Sequence, residues 1–217
     1  MLLQILTYTH HLTTMLFGIF LSAFFLGVKQ NKKNVCILLG GGAVSGLFFL
    51  ICNTVFGSLF TEAVYPIFVH LPLFLLLVFY YRFRWLPSII SIMTAYLCCQ
   101  FSNWAGIFAL SLSGLDWVYY LVRIIVTVAV FAFLSRYLCQ TTALLFAKSD
   151  RELYILGAMP FVYYVFDYST TKYSMLLYSG NKVVVEFLAF AMCISYVIFL
   201  FVYFQEYELK NRAEQYG

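Results

Sequence analysis

Apolar residues are concentrated in seven long runs, separated by short polar segments. The runs cover about residues 4–28, 35–60, 64–81, 86–113, 116–136, 153–171 and 183–204. A helix needs roughly 20 apolar residues to cross a hydrocarbon core of about 30 Å. The pattern therefore predicts an all-α polytopic membrane helix bundle of about seven transmembrane helices. Six is the alternative count, because the third run is short and contains two prolines and the sixth contains Pro160 and Asp167.

The seventh run continues without interruption into a polar tail. Residues 183–204 are almost all apolar, whereas residues 205–216 are polar, mixed in charge and rich in helix formers. Neither glycine nor proline occurs within 182–216, so nothing forces the helix to end at the membrane surface. The pattern predicts one helix of roughly 50 Å, at ~1.5 Å per residue, that relays a signal out of the membrane; a frayed tail is the alternative. The residues expected to carry this relay are Gln205, Glu206 and Glu208.

Lysine and arginine are distributed unevenly between the two sets of loops. The loops after runs one, three and five, together with the tail, contain ten of them, whereas the opposite loops contain only Lys172 and Lys182. Positive residues accumulate on the cytoplasmic side of a membrane. The bias predicts a multi-pass protein of the cell membrane with its N-terminus outside and its C-terminus in the cytoplasm. Residues 1–204 would form the transmembrane domain and residues 205–217 the start of a cytoplasmic helical linker.

Composition supports the membrane class and narrows the partners. The chain is 64% hydrophobic and 10% charged, whereas about a quarter of the residues of a soluble domain are charged. The net charge of +4 comes from short loops between apolar runs, so we expect the bilayer as partner and no nucleic acid. The six cysteines form no CxxC and have no regular spacing, so we expect neither a metal site nor a disulfide framework. No cofactor is predicted.

The polar residues inside the runs are the candidate site, because each of them needs a partner in the membrane. They cluster toward the predicted outer face, and Arg123 is expected to pair with at least one of the three carboxylates. The group is either a buried hydrogen-bonded network or an outward-open vestibule for an extracellular ligand, and the two interpretations are compatible. Its members are His70, Asn103, Asp116, Arg123, Asp167 and Glu186.

Catalytic motifs are missing from the sequence. There is no paired Ser and His, no HExxH, no GxSxG and no phosphate-binding glycine loop, so we predict that the chain is not an enzyme. A small multi-span transporter or transporter subunit is the alternative function, with Asp167, Glu186 and Arg123 serving proton coupling. Such a transporter should show paired broken helices or an internal repeat, and no convincing repeat is visible.

Three segments of the last third of the chain suggest a family. They are YVFDYSTT at 164–171, LYSGNKVVVEF at 177–187 and YFQEYE at 203–208. They resemble the membrane sensor region of Firmicutes sensor histidine kinases with a GHKL-type ATPase domain, and are similar to quorum-sensing receptors of the accessory-gene-regulator type. The resemblance is specific over residues 153–217 and only generic over residues 1–150.

The resemblance implies a receptor module of a bacterial two-component system. It would detect an extracellular ligand such as a short peptide, and would act as a homodimer in a full-length form. In such kinases the last span continues into a dimerising helix with the phospho-accepting histidine, and then into the ATPase domain. This chain departs from that pattern, because His10, His11 and His70 all lie in membrane runs and no nucleotide-binding motif is present. We therefore expect the chain itself to lack kinase activity.

Overall fold

The structure, a computed structural model, describes residues 2–57, 61, 64–147, 150–167 and 182–216. Within these ranges the chain forms helices and no strand, which confirms the predicted all-α class. The helices are α1 Leu2–Phe25, α2 Lys32–Phe56, α3 Pro66–Tyr80, α4 Trp85–Cys98, α5 Gln100–Ser113, α6 Asp116–Tyr137, α7 Cys139–Phe146, α8 Asp150–Asp167 and α9 Lys182–Tyr216.

Four stretches are long and apolar enough to cross a membrane, as expected for a membrane protein. They are Lys32–Phe56, Trp85–Ser113, Asp116–Tyr137 and Leu188–Lys210, and they correspond to predicted runs two, four, five and seven. Runs one, three and six also form helices, namely α1, α3 and α8. Much of the apolar surface of α2 and α6 is exposed, whereas Trp85–Ser113 lies largely inside the bundle.

Helix α3 is irregular around its internal proline. Residues Pro66–His70 and Leu76–Tyr80 form π-helical turns on either side of the short α-helical segment Leu71–Leu75. Pro72 has no backbone N–H and cannot complete the α-helical hydrogen-bond pattern, so the irregularity lies where the sequence forces it. Turns of the π type are frequent at functional sites, and His70 closes the first of them.

The apolar core lies around the second half of α1. This part of α1 packs against α4, α6 and α7, and its side chains Leu21, Ala23 and Phe25 are completely buried. Helix α7 was not predicted, because the segment after run five reads as a loop. It packs against the end of α1, with the rings of Phe25 and Phe146 6.5 Å apart. The core is therefore concentrated at the end of the bundle where α1 ends.

The same end of the bundle carries an exposed ion pair. The guanidinium of Arg84, just before α4, lies 2.9 Å from the carboxylate of Asp150, the first residue of α8. The loops after runs three and five thus meet, as alternating helices require. The candidate polar residues His70 and Asp167 lie far along their helices from this end.

Helix α9 is a single helix over Lys182–Tyr216, which confirms the predicted continuity from the apolar run into the polar tail. It packs against α4, α5, α7 and α8, and Cys193, Tyr196 and Leu200 are buried there. Beyond these residues the proposed relay side chains Gln205, Glu206 and Glu208 are exposed.

Candidate functional site

The polar residues of the bundle form two clusters rather than one. The first, the His70 cluster, consists of His70 on α3, Tyr96 on α4, and Tyr164 and Asp167 on α8. The Nδ1 atom of His70 lies 2.8 Å from the hydroxyl of Tyr164, and the Tyr96 hydroxyl donates a hydrogen bond of 2.5 Å to Oδ2 of Asp167. These two contacts connect three helices.

Aromatic rings enclose the His70 cluster. The ring of His70 lies 5.7 Å from that of Tyr96, 5.6 Å from that of Tyr164 and 5.4 Å from that of Tyr65, measured between centroids. No side-chain atom of the four cluster residues is buried without a hydrogen-bond partner in the described part of the chain. A hydrogen bond to a charged group contributes about 1.5–3 kcal/mol to the free energy of unfolding. The cluster therefore stabilises the packing of α8 against α3 and α4.

The second group, the Arg123 cluster, consists of His10 on α1 and Tyr119, Tyr120 and Arg123 on α6. An Nη atom of Arg123 donates a hydrogen bond to the hydroxyl of Tyr119, and the guanidinium carbon lies 5.1 Å from the centroid of the Tyr119 ring. The Nε atom of Arg123 is buried and has no hydrogen-bond partner in the structure. Its N–H is thus an unsatisfied donor inside the bundle.

Gly106 on α5 makes room for Arg123. A Cβ atom at Gly106 would lie 2.4 Å from Cγ and 2.8 Å from Cδ of Arg123, which is far closer than non-bonded carbon atoms approach. The aliphatic stem of Arg123 therefore lies directly on the backbone of α5. A larger residue at position 106 would displace it.

His10 on α1 also belongs to the Arg123 cluster. It is buried, its Nδ1 atom lies 3.3 Å from the hydroxyl of Thr14, and its ring centroid is 5.9 Å from that of Tyr120. The ring of Tyr120 in turn lies 5.0 Å from that of Tyr119, the hydrogen-bond partner of Arg123. The cluster therefore combines one fixed positive charge with an imidazole and two phenols, and it contains no carboxylate.

We predicted that Arg123 pairs with at least one of Asp116, Asp167 and Glu186; the structure shows no pairing with Asp116 or Asp167, and pairing with Glu186 stays a prediction. Within the described residues Arg123 forms no ion pair, and Asp167 instead accepts the hydrogen bond from Tyr96. Asp116 is exposed in the first turn of α6, where a carboxylate is stabilised by the helix dipole. Seven residues, or ~10.5 Å of helix, separate it from Arg123. The side chain of Glu186 lies outside the described residues.

Asn103 lies on α5, one turn before Gly106, with Nδ2 3.4 Å from Oε1 of Gln100. The candidate site residues taken from the sequence did not include Tyr96, Tyr119 or Tyr164. The signal was available, since a buried phenol needs a hydrogen-bond partner. Among the described residues no three His, Cys, Asp or Glu side chains come together in a way that would hold a metal ion.

Comparisons of the chain with protein-family profiles, with curated proteins and with solved structures gave no match. The functional argument therefore depends on the geometry of this molecule and on the resemblance noted in its sequence.

Proposed function

We propose that the chain is the membrane sensor module of a bacterial sensor histidine kinase, in which α9 carries the state of the outer polar clusters to a cytoplasmic partner domain. The seven helical segments α1, α2, α3, α4–α5, α6, α8 and α9 would span the cell membrane, with the N-terminus outside and the tail of α9 in the cytoplasm. The distribution of lysine and arginine supports this orientation. The ligand would be an extracellular molecule such as a short peptide.

The observation that carries the proposal is a hydrogen bond between α8 and α9. The hydroxyl of Tyr196 donates to the backbone carbonyl of Leu156 at 2.8 Å. In a regular α-helix that carbonyl would accept from the N–H of residue 160, but Pro160 has none. A side chain of α9 thus occupies the backbone position that a proline vacates in α8.

This contact places α9 next to the helix that carries part of the candidate site. Tyr164 and Asp167 follow Pro160 on α8, within two turns of it. Below the proline, α8 lies close to α4, since a Cβ atom at Gly157 would come within 2.6 Å of Ile90. The segment of α8 after Pro160 is therefore the part that can change its direction. Tyr196 of α9 contacts α8 at Leu156, just before this segment begins.

The transporter alternative receives less support from the geometry. Helices α3 and α8, which contain internal prolines, stay helical through them. Helices α4 and α5 are separated only at Cys99, whose backbone angles of −63° and −18° remain right-handed helical. Ion and substrate sites of transporters use unwound half-helices, and this interruption is a single tight turn.

A distance measurement tests the relay. Spin labels at positions 33 and 208 of a cysteine-free chain in nanodiscs would report the position of the tail of α9 relative to α2. We expect Asp167→Asn to shift this distance by about 1–2 Å, a usual size for helix movements, and Tyr196→Phe in the same chain to abolish the shift. Asp116→Asn, which changes an exposed carboxylate, is the matched control and should leave the distance unchanged. An unchanged distance in Asp167→Asn would contradict the relay.

The orientation has its own test. Single cysteines at positions 32 and 182 in the cysteine-free chain should differ in labelling by an impermeant reagent, with position 182 reactive from outside. Equal labelling would contradict the seven-span arrangement. The homodimer expected for a full-length form would use the exposed Val202 and Leu209, which recur at seven residues, and we expect only weak self-association of this chain.

A further inference from the structure

The Arg123 cluster has a positive charge, and no described residue supplies a counter-charge. Arg123 makes no ion pair within the described residues, and its guanidinium is bonded only to the neutral phenol of Tyr119. A charge in a region of low dielectric is costly unless an opposite charge pairs with it. The other members of the cluster, His10, Tyr119 and Tyr120, supply no carboxylate.

We propose that the Arg123 cluster is a binding site for a group with one negative charge on oxygen, either a ligand carboxylate or a lipid phosphodiester. One fixed guanidinium matches a single negative charge. Arginine binds such groups through paired N–H donors, and the Nε–H of Arg123 is a buried donor without a partner. Gly106 and Tyr119 hold the stem and one Nη atom in place, so the donor is positioned before the anion arrives.

The site connects to α9 by a route separate from the His70 cluster. Gly106 lies on α5, and Trp104 of the same helix has its ring 5.5 Å from that of Phe190 on α9. Phe101, one turn earlier on α5, lies 6.0 Å from the same ring. This inference deepens the proposed function and rests on it only for the idea that binding is read out by α9; anion binding itself does not depend on it.

Thermal unfolding of the whole chain in micelles of a non-ionic detergent, which supplies no phosphodiester, tests the site. The probes are hexanoate, its neutral analogue hexanamide, and phosphatidylglycerol added to the micelles. At ten times its dissociation constant a bound anion should raise the unfolding temperature by about 3 °C. Hexanamide should have no effect.

Arg136 provides a matched control on the same helix. It lies over the ring of Tyr137, at 6.0 Å from the centroid, but at the opposite end of α6. Arg136→Gln should keep the full response to the anion and Arg123→Gln should lose it. Arg123→Lys keeps the charge without the paired donors, so it should bind about tenfold more weakly, and it serves if Arg123→Gln does not fold.

The results separate the sources of the anion. An Arg123-dependent rise with hexanoate identifies a soluble carboxylate, and an Arg123-dependent rise only with phosphatidylglycerol identifies a lipid phosphodiester. If neither anion distinguishes wild type from the Arg123 variants, the site is refuted. A positive result here together with an unchanged distance between positions 33 and 208 would refute the relay and leave the anion site standing.

Discussion

The His70 cluster and the Arg123 cluster both place a charged side chain among aromatic rings, yet they differ in whether their polar atoms are satisfied. In the first, the His70 imidazole bonds the hydroxyl of Tyr164 and the Tyr96 hydroxyl donates to the carboxylate of Asp167, and no side-chain atom of these four residues is buried without a partner. In the second, a guanidinium has one phenol partner and a buried Nε–H with none. A satisfied network stabilises the fold, whereas a buried donor without a partner carries a free-energy cost that a bound anion would relieve.

The comparison predicts a large loss of stability from the His70 cluster. Tyr96→Phe removes the donor to Asp167 while keeping the ring, and should lower the free energy of unfolding by about 1.5–3 kcal/mol. Chemical or thermal unfolding in detergent measures the change. Tyr137→Phe, at an exposed tyrosine of α6, is the control and should change stability by less than about 0.5 kcal/mol. An equal loss of stability in the two variants would contradict a structural role for the His70 cluster.

Gly106 offers a way to test how closely Arg123 packs on α5. Gly106→Ala should destabilise by about 1–3 kcal/mol, because the new methyl group overlaps the arginine stem. In the background of Arg123→Ala the same change should cost much less, since the stem is gone. The difference between the two backgrounds is the coupling energy, and a value near zero would show that Arg123 does not lie on Gly106.

The hydrogen bond between Tyr196 on α9 and Leu156 on α8 should contribute less to stability. Its contribution can be identified by combining variants at positions 196 and 160. Tyr196→Phe leaves the Leu156 carbonyl without its donor, at a cost of about 1 kcal/mol. Pro160→Ala restores the N–H that a regular helix supplies to this carbonyl. In the Pro160→Ala background Tyr196→Phe should therefore be nearly neutral in unfolding experiments. An undiminished cost in that background would mean that Tyr196 acts in some other way.

The hydrophobic pattern predicts most helices of this molecule, because a long apolar run bounded by charged residues is typical of a membrane helix. It also predicts the unbroken α9, since no residue of 182–216 breaks a helix. It did not predict α7, whose eight residues are too few to show a period. Such a short element forms because tertiary contacts bury Leu145 and Phe146.

The sequence predicts several polar residues of the candidate site, but not which of them contact each other. His70, Arg123 and Asp167 were recognised as costly intramembrane groups, and the structure gives hydrogen-bond partners to all three. Which side chains meet depends on the rotation and tilt of each helix, and an apolar run does not encode these. The sequence suggests carboxylates as partners of Arg123, because their charges are opposite. In the structure the side chains of His70, Arg123 and Asp167 each form a hydrogen bond with a tyrosine hydroxyl.

The most direct test of this account compares the two clusters in one experiment, the unfolding of ligand-free Arg123→Gln and Tyr96→Phe in micelles of a non-ionic detergent. Tyr96→Phe should lower the free energy of unfolding by about 1.5–3 kcal/mol. Arg123→Gln should leave it unchanged or raise it by about 1 kcal/mol, because it removes a buried charge to which no described residue supplies a counter-charge. A loss in Arg123→Gln as large as that in Tyr96→Phe would show that both clusters are structural, and would contradict the distinction between them.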